Sequence, residues 1–191
     1  MINLKILVHE IAALDNFIAF VTGPTGAGKS TFVSNMDHKK LAFGVHPGQE
    51  VRKSQELKKA VLSSENPTAP KATESFVREL VKKKIQSFAN RTPLFSAMVD
   101  GMPRTTDQVT WCVDLSVKYK KRLVFIYMDA DPQERRDRLI LRGDAPEFVE
   151  KRLVSDDLVL PAVVSRIKQV VYGGKFGFFY QTATGGVVYG H

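Results

Sequence analysis

The chain has 191 residues, 43% hydrophobic and 25% charged, which suits a single α/β domain able to bury a sizeable core without staples. Its one cysteine, Cys112, excludes an internal disulfide framework and a multi-cysteine zinc site and reads as a core filler. No apolar run is long enough to cross a bilayer and no targeting segment opens the chain, so the expectation is a soluble, cytoplasmic protein. A formal net charge of +8 favours an anionic partner; the basic runs, from Lys39-Lys40 to the stretch 118–122, read as solvated helix faces more than as a nucleic-acid stripe.

In chain order, Leu4 to Val8 is an apolar stretch expected as an extra strand or a packed arm, and Phe17 to Val21 reads as a buried strand. Gly23-Pro24-Thr25-Gly26-Ala27-Gly28-Lys29-Ser30 follows directly, fitting G-x-x-x-x-G-K-[ST], and Thr31 to Met36 can open a helix. In such a loop the glycines let backbone N–H groups curl toward an anion, and the helix N-terminus adds its positive dipole end. Lys29 supplies a mobile charge for the outer phosphates, and Ser30 offers a hydroxyl to Mg²⁺. The motif points to a nucleoside triphosphate and no more, with Gly23, Gly26, Ala27, Gly28, Lys29, Ser30 and Thr31 as its contacts.

A short strand is expected over Leu41 to Val45, a turn at Pro47-Gly48, and a helix from Gln49 to Leu62. Pro67 and Pro70 break that helix, and a new one begins near Thr73 with the apolar stripe Phe76, Val77, Leu80, Val81, Ile85 and Phe88. Leu94 to Val99 reads as a strand, Thr105 to Tyr119 as a helix and Leu123 to Met128 as a buried strand. Asp131-Pro132-Gln133-Glu134 supplies an N-cap, a first-turn proline and an acid, so a helix starts there. Another spans Glu147 to Tyr172, bent or split at Pro161, and Phe176 to Tyr180 closes the series as a strand. Alternating strands and helices imply a parallel sheet with right-handed crossovers, its ligands at the carboxyl ends of the strands.

Asp100 ends an apolar strand and so falls at the same sheet edge as the phosphate loop, where a carboxylate can help hold Mg²⁺ opposite Ser30. From there Asp100-Gly101-Met102-Pro103-Arg104-Thr105-Thr106-Asp107-Gln108 resembles the D-G-F-P-R-T-x-x-Q stretch of the adenylate kinase family, with Met102 in place of phenylalanine. His46 to Arg52 is similar to the family's S-T-G-D-x-L-R, 137–143 to its E-R-L-x-x-R-G, and 146–153 to its P-E-x-I-x-K-R-L. Pro47 and Gln49 depart from the pattern, and of the lid only Asp144 and Ala145 remain. The resemblance covers about 18–172 of the chain, in four ordered motifs.

The resemblance implies a P-loop NTPase-type parallel sheet of order 2-3-1-4-5 with helices on both faces, a helical monophosphate-binding subdomain over 46–90 and a vestigial lid over 142–146. It implies a nucleoside monophosphate kinase using Mg-ATP, with AMP the first candidate acceptor and dAMP, CMP or UMP behind it. Gly48, Arg52, Gly101, Arg104 and Gln108 would bind the acceptor, Arg52 and Arg104 at its phosphate and Gln108 at its base edge. Lys29, Arg104, Arg142, Arg152 and Asp100 would serve the transfer, with Arg138 on the ATP side. The expected partners are nucleotides, with no nucleic acid or membrane, in a monomer or small homo-oligomer. A phosphate-loop kinase with a hydroxyl acceptor, and an ATP-binding or nucleic-acid-associated protein that has lost turnover with its lid, stay open as alternatives.

Overall fold

A computed structural model describes residues 4–174 and 177–182. Five strands, β1 (Phe17–Thr22), β2 (Phe43–Val45), β3 (Ala97–Asp100), β4 (Arg122–Met128) and β5 (Phe178–Thr182), form one parallel sheet in the order β2-β3-β1-β4-β5. Eight α-helices occupy the described connections: α1 (Leu4–Ala12), α2 (Lys29–His38), α3 (Pro47–Lys53), α4 (Gln55–Ser63), α5 (Lys71–Arg91), α6 (Thr106–Lys118), α7 (Pro132–Leu141) and α8 (Pro146–Lys168). This is the α/β architecture and strand order that the alternating pattern and the resemblance imply.

Successive side chains of a strand point to opposite faces, and the core divides along that alternation. Ile18 and Phe20 of β1, with Phe125 and Phe179, pack under α5, α6 and α8 through Val81, Ile85, Val109, Cys112, Val163 and Ile167. Phe17, Ala19 and Val21, with Met98 and Ile126, face Leu7 and Ile11 of α1 and Phe32, Val33 and Met36 of α2. Both faces are therefore covered, as a buried parallel sheet requires.

The expectation of a strand or arm over Leu4 to Val8 is corrected: the segment belongs to α1, because Leu7 and Ile11, four residues apart, reach the sheet from one helix face. The long helix expected over 49–62 is two, because Ser54 adopts an extended backbone and its hydroxyl accepts the Leu57 N–H as the cap of α4. The expected strand at Leu94 starts only at Ala97; Leu94 is 77% exposed beside Pro93. The strands at 41–45 and 176–180 likewise shorten or shift to β2 and β5. Pro161 neither splits nor ends α8, since Leu160, Val163 and Ile167 bury the turns around it, and a π-helical turn over Gln169–Gly173 follows.

Lys121, expected on a solvated face, is buried: its ammonium donates to the Pro93 carbonyl at 2.7 Å and to Asn16 Oδ1, and lies 3.9 Å from the centre of the Phe95 ring. It ties the start of β4 to the loops that precede β1 and β3. Phe176, expected to open the last strand, lies outside the described residues.

Phe125 stands at the centre of the sheet with no exposure, its ring 6.0 Å from that of Phe20. Phe125→Ala is expected to lower unfolding free energy by about 3–5 kcal/mol, read from urea unfolding followed by circular dichroism.

Candidate active site

Register carries the site. Val21 of β1 pairs with Asp100 of β3 and with Ile126 of β4, so the chain leaves the sheet at Gly23 beside the end of β3. Gly23 holds φ +132° and passes so close to β4 that an added Cβ would lie 1.9 Å from the Met128 carbonyl oxygen. Only glycine fits that crossing. At the other end of the loop Gly28 is left-handed, φ +87°, and α2 starts at Lys29 with no side-chain cap on its first-turn N–H groups. Those uncapped donors and the helix dipole suit an anion.

Lys29 is buried, and its ammonium donates to the Pro24 carbonyl at 2.6 Å, folding over the loop. Burial, followed by the Arg104 charge, brings its pKa down to about 7 despite the opposing pull of Asp100 and Asp156. A lysine only about half charged at neutral pH in the free site recovers its full charge once phosphates approach. Ser30 Oγ donates to Asp100 Oδ2 at 2.5 Å, bringing together the hydroxyl and carboxylate expected at the metal. Burial would raise the Asp100 pKa, but hydrogen bonds from His46 and Ser30 and the Lys29 charge outweigh it, and the group sits below the usual carboxylate range. Hard oxygen ligands of this kind fit Mg²⁺, which takes one or two protein groups and completes its shell with phosphate and water. No cluster of three or more His, Cys, Asp or Glu residues suited to a metal occurs among the described residues.

His46, at the start of α3, reaches the same carboxylate. Its Nδ1 lies 3.4 Å from Asp100 Oδ2, and Nε2 lies 3.5 Å from Ser34 Oγ. Arg104 follows the turn at Gly101, whose carbonyl accepts from Arg104 Nε at 2.8 Å. Its Nη1 lies 3.4 Å from the Thr68 carbonyl and 3.7 Å from Asp156 Oδ1. Gln108, buried one turn into α6, accepts the Arg104 backbone N–H on its amide oxygen at 2.7 Å. That oxygen is engaged in shaping the Arg104 turn.

Arg152 comes from α8 and donates from Nε to Thr25 Oγ1 at 2.9 Å. Burial, then Arg104 and Arg142, lowers its pKa to about 10. Arg138 is exposed but touches the loop, donating to the Gly26 carbonyl at 3.1 Å while paired with Glu134. Arg52 and Arg142 stand on the solvent-exposed rim. Partial desolvation and the Arg142 charge lower the Arg52 pKa, and Arg142 is paired with Asp144. Ala27 is buried, Thr31 is exposed, and Gly48 falls in the first turn of α3.

The structure thus brings together Lys29, Ser30, Asp100, Arg104 and Arg152, and holds Arg52 and Arg142 at the edge. Sequence reasoning missed Asp156, Thr25 and Thr68. Asp156 sits in an ordinary-looking Asp-Asp pair, and only the fold turns it inward while Asp157 stays 70% exposed.

Sheet order, loop geometry and converging cations define a nucleotide-binding P-loop domain. A family model described as an AAA domain matches residues 22–151, more than half of the chain, and the chain belongs to that family. No curated protein matches it. No helix among the described residues is long and apolar enough to cross a membrane.

Because Lys29 titrates near 7 when the site is free, binding of Mg-ATP at pH 8 should take up about one proton, and little below pH 6 where the lysine is already charged. Affinity should fall as pH rises above 7. Calorimetry in two buffers of different ionisation enthalpy measures the uptake, which Lys29→Ala should remove; zero uptake by the unaltered protein at pH 8 would contradict this account of the site.

Proposed function

We propose that the protein transfers the γ-phosphoryl group of Mg-ATP to a nucleoside monophosphate, giving the diphosphate and ADP. The observation that carries this reading is the convergence of Arg104 and Arg152 on the phosphate loop: Arg152 bonds Thr25 directly, and Arg104 lies 3.7 Å from Asp156, whose other oxygen accepts the Thr25 N–H. A single triphosphate does not call for a guanidinium anchored on the β3 turn, opposite the loop; two phosphate-bearing ligands meeting end to end do. Bringing their charges together is the main obstacle to phosphoryl transfer, so positioned cations supply most of the catalysis.

In this mechanism the phosphate loop's N–H groups and Lys29 hold the donor's outer phosphates. Arg104 presents its planar fork to the acceptor phosphate, and Arg52 adds a second guanidinium from the rim. Arg152, braced on Thr25, neutralises charge on the group in transit, assisted by Arg142 and, on the donor side, Arg138. Ser30 and Asp100 would hold Mg²⁺, which when bound supplies charge neutralisation across the donor phosphates. His46 buttresses Asp100 at the same oxygen that Ser30 contacts. Helices α3, α4 and α5, which together run from Pro47 to Arg91, form the acceptor side. AMP is the first acceptor to test, followed by dAMP, CMP and UMP.

Two variants and a panel test the reading. In a coupled ADP-release assay with each monophosphate in turn, the unaltered protein should show acceptor-dependent turnover with at least one. Lys29→Ala should abolish transfer and keep the circular dichroism spectrum. Arg104→Ala should raise the acceptor KM by at least tenfold, the cost of losing a charge-assisted hydrogen bond, with donor affinity little changed. Turnover with a sugar or acid and none with monophosphates would replace this acceptor assignment with a hydroxyl; donor binding without any turnover would replace it with a binding role.

A further inference from the structure

Asp156 has no solvent exposure, and its two oxygens serve different halves of the site. Oδ2 accepts the Thr25 backbone N–H of the phosphate loop at 2.5 Å. Oδ1 accepts the Thr68 hydroxyl at 2.6 Å and lies 3.7 Å from Arg104 Nη1, which in turn lies 3.4 Å from the Thr68 carbonyl. One carboxylate therefore joins a donor-loop amide, the loop between α4 and α5, and the arginine of the β3 turn.

The neighbouring side chains of α8 reinforce both links. Arg152, one turn earlier on the same helix face, donates to Thr25 Oγ1. Ser155 donates to Asn66 Oδ1 at 2.8 Å, and that oxygen also accepts the Ala69 N–H at 3.1 Å. Burying a carboxylate is costly unless it is paired and hydrogen-bonded, and here every compensating contact is to a segment that would touch one or other phosphate ligand. The Arg104 charge and the Thr25 and Thr68 hydrogen bonds overcome the burial penalty, so the group is ionised.

We propose that Asp156 is a positioning residue that couples the donor loop to the acceptor side: a donor that orders Thr25 fixes Asp156, which fixes Thr68 and the direction of Arg104. Helix α8 thereby takes on a closing task that a chain with only four residues, 142–145, between α7 and α8 cannot give to a lid. The identity of the acceptor rests on the monophosphate kinase reading; the coupling itself does not.

Thr68→Val in the full chain cuts the link on the acceptor side and leaves the Thr25 contact in place. Two readouts separate the questions. First, hydrogen exchange with the magnesium complex of adenylyl imidodiphosphate, without any acceptor, should slow the amides of 64–69 in the unaltered protein and not in Thr68→Val. Second, Thr68→Val should raise the acceptor KM about tenfold, the worth of a hydrogen bond to a charged group, while donor Kd and kcat stay within about twofold. Thr68→Ser should restore both, and Asp156→Asn, which keeps the shape and removes the charge facing Arg104, should shift KM in the same direction. Unaltered exchange and KM in Thr68→Val would overturn the coupling, as would an equal loss of donor affinity, which marks general loosening. Should the unaltered protein phosphorylate no monophosphate, the kinase reading fails and the exchange experiment alone decides for or against the coupling.

Discussion

Cations repel one another, and this sheet edge gathers several of them in a space sparing of water. Burial first, and then the Arg104 charge, lowers the pKa of Lys29 and of Arg152. What keeps the edge folded before any phosphate arrives is a pair of buried carboxylates, Asp100 facing Ser30 and His46, and Asp156 facing Thr25, Thr68 and Arg104. Asp100 ends β3 and Asp156 lies midway along α8, so each is fixed by packing that has nothing to do with phosphate. The arrangement is electrostatically incomplete without anions, and that incompleteness is a store of binding energy for them.

The scaffold supplies what such a site needs. Parallel pairing of β1 with β3 sets Val21 against Asp100, so the loop and the carboxylate meet without a flexible segment between them. The close pass of Gly23 over Met128 and the left-handed turn at Gly28 then aim the uncapped start of α2 at the same spot. On the far side α8, anchored in the core by Leu160, Val163 and Ile167, carries Arg152 and Asp156 up to Thr25. Sub-ångström placement of charges is obtained from strands and helices, and the loops follow.

Much of this was legible from residue order. The phosphate loop, the alternating strands and the cap at Asp131 rest on local rules, and the structure agrees: Asp131 accepts from Gln133 and Glu134. Places where local rules misled share one cause, namely packing that local propensity does not contain. Leu7 and Ile11 make a helix because a sheet face lies opposite them, α8 runs through Pro161 because buried turns on either side hold it, and Lys121 is buried because two loops offer acceptors to its ammonium.

By itself the sequence determined the fold class, the loop that takes an anion and the approximate residues around it, because these depend on spacing along the chain and on the conformational freedom of glycine. Only the tertiary structure decided which charges meet. That His46 turns to Asp100, that Gln108 spends its oxygen on the Arg104 turn, and that Asp156 rather than Asp157 faces inward depend on the register of strands and the rotation of helices about their axes. Contacts between groups as far apart in the chain as Thr25 and Asp156 have no sequence period, since they arise where separately determined elements happen to be brought together by one core.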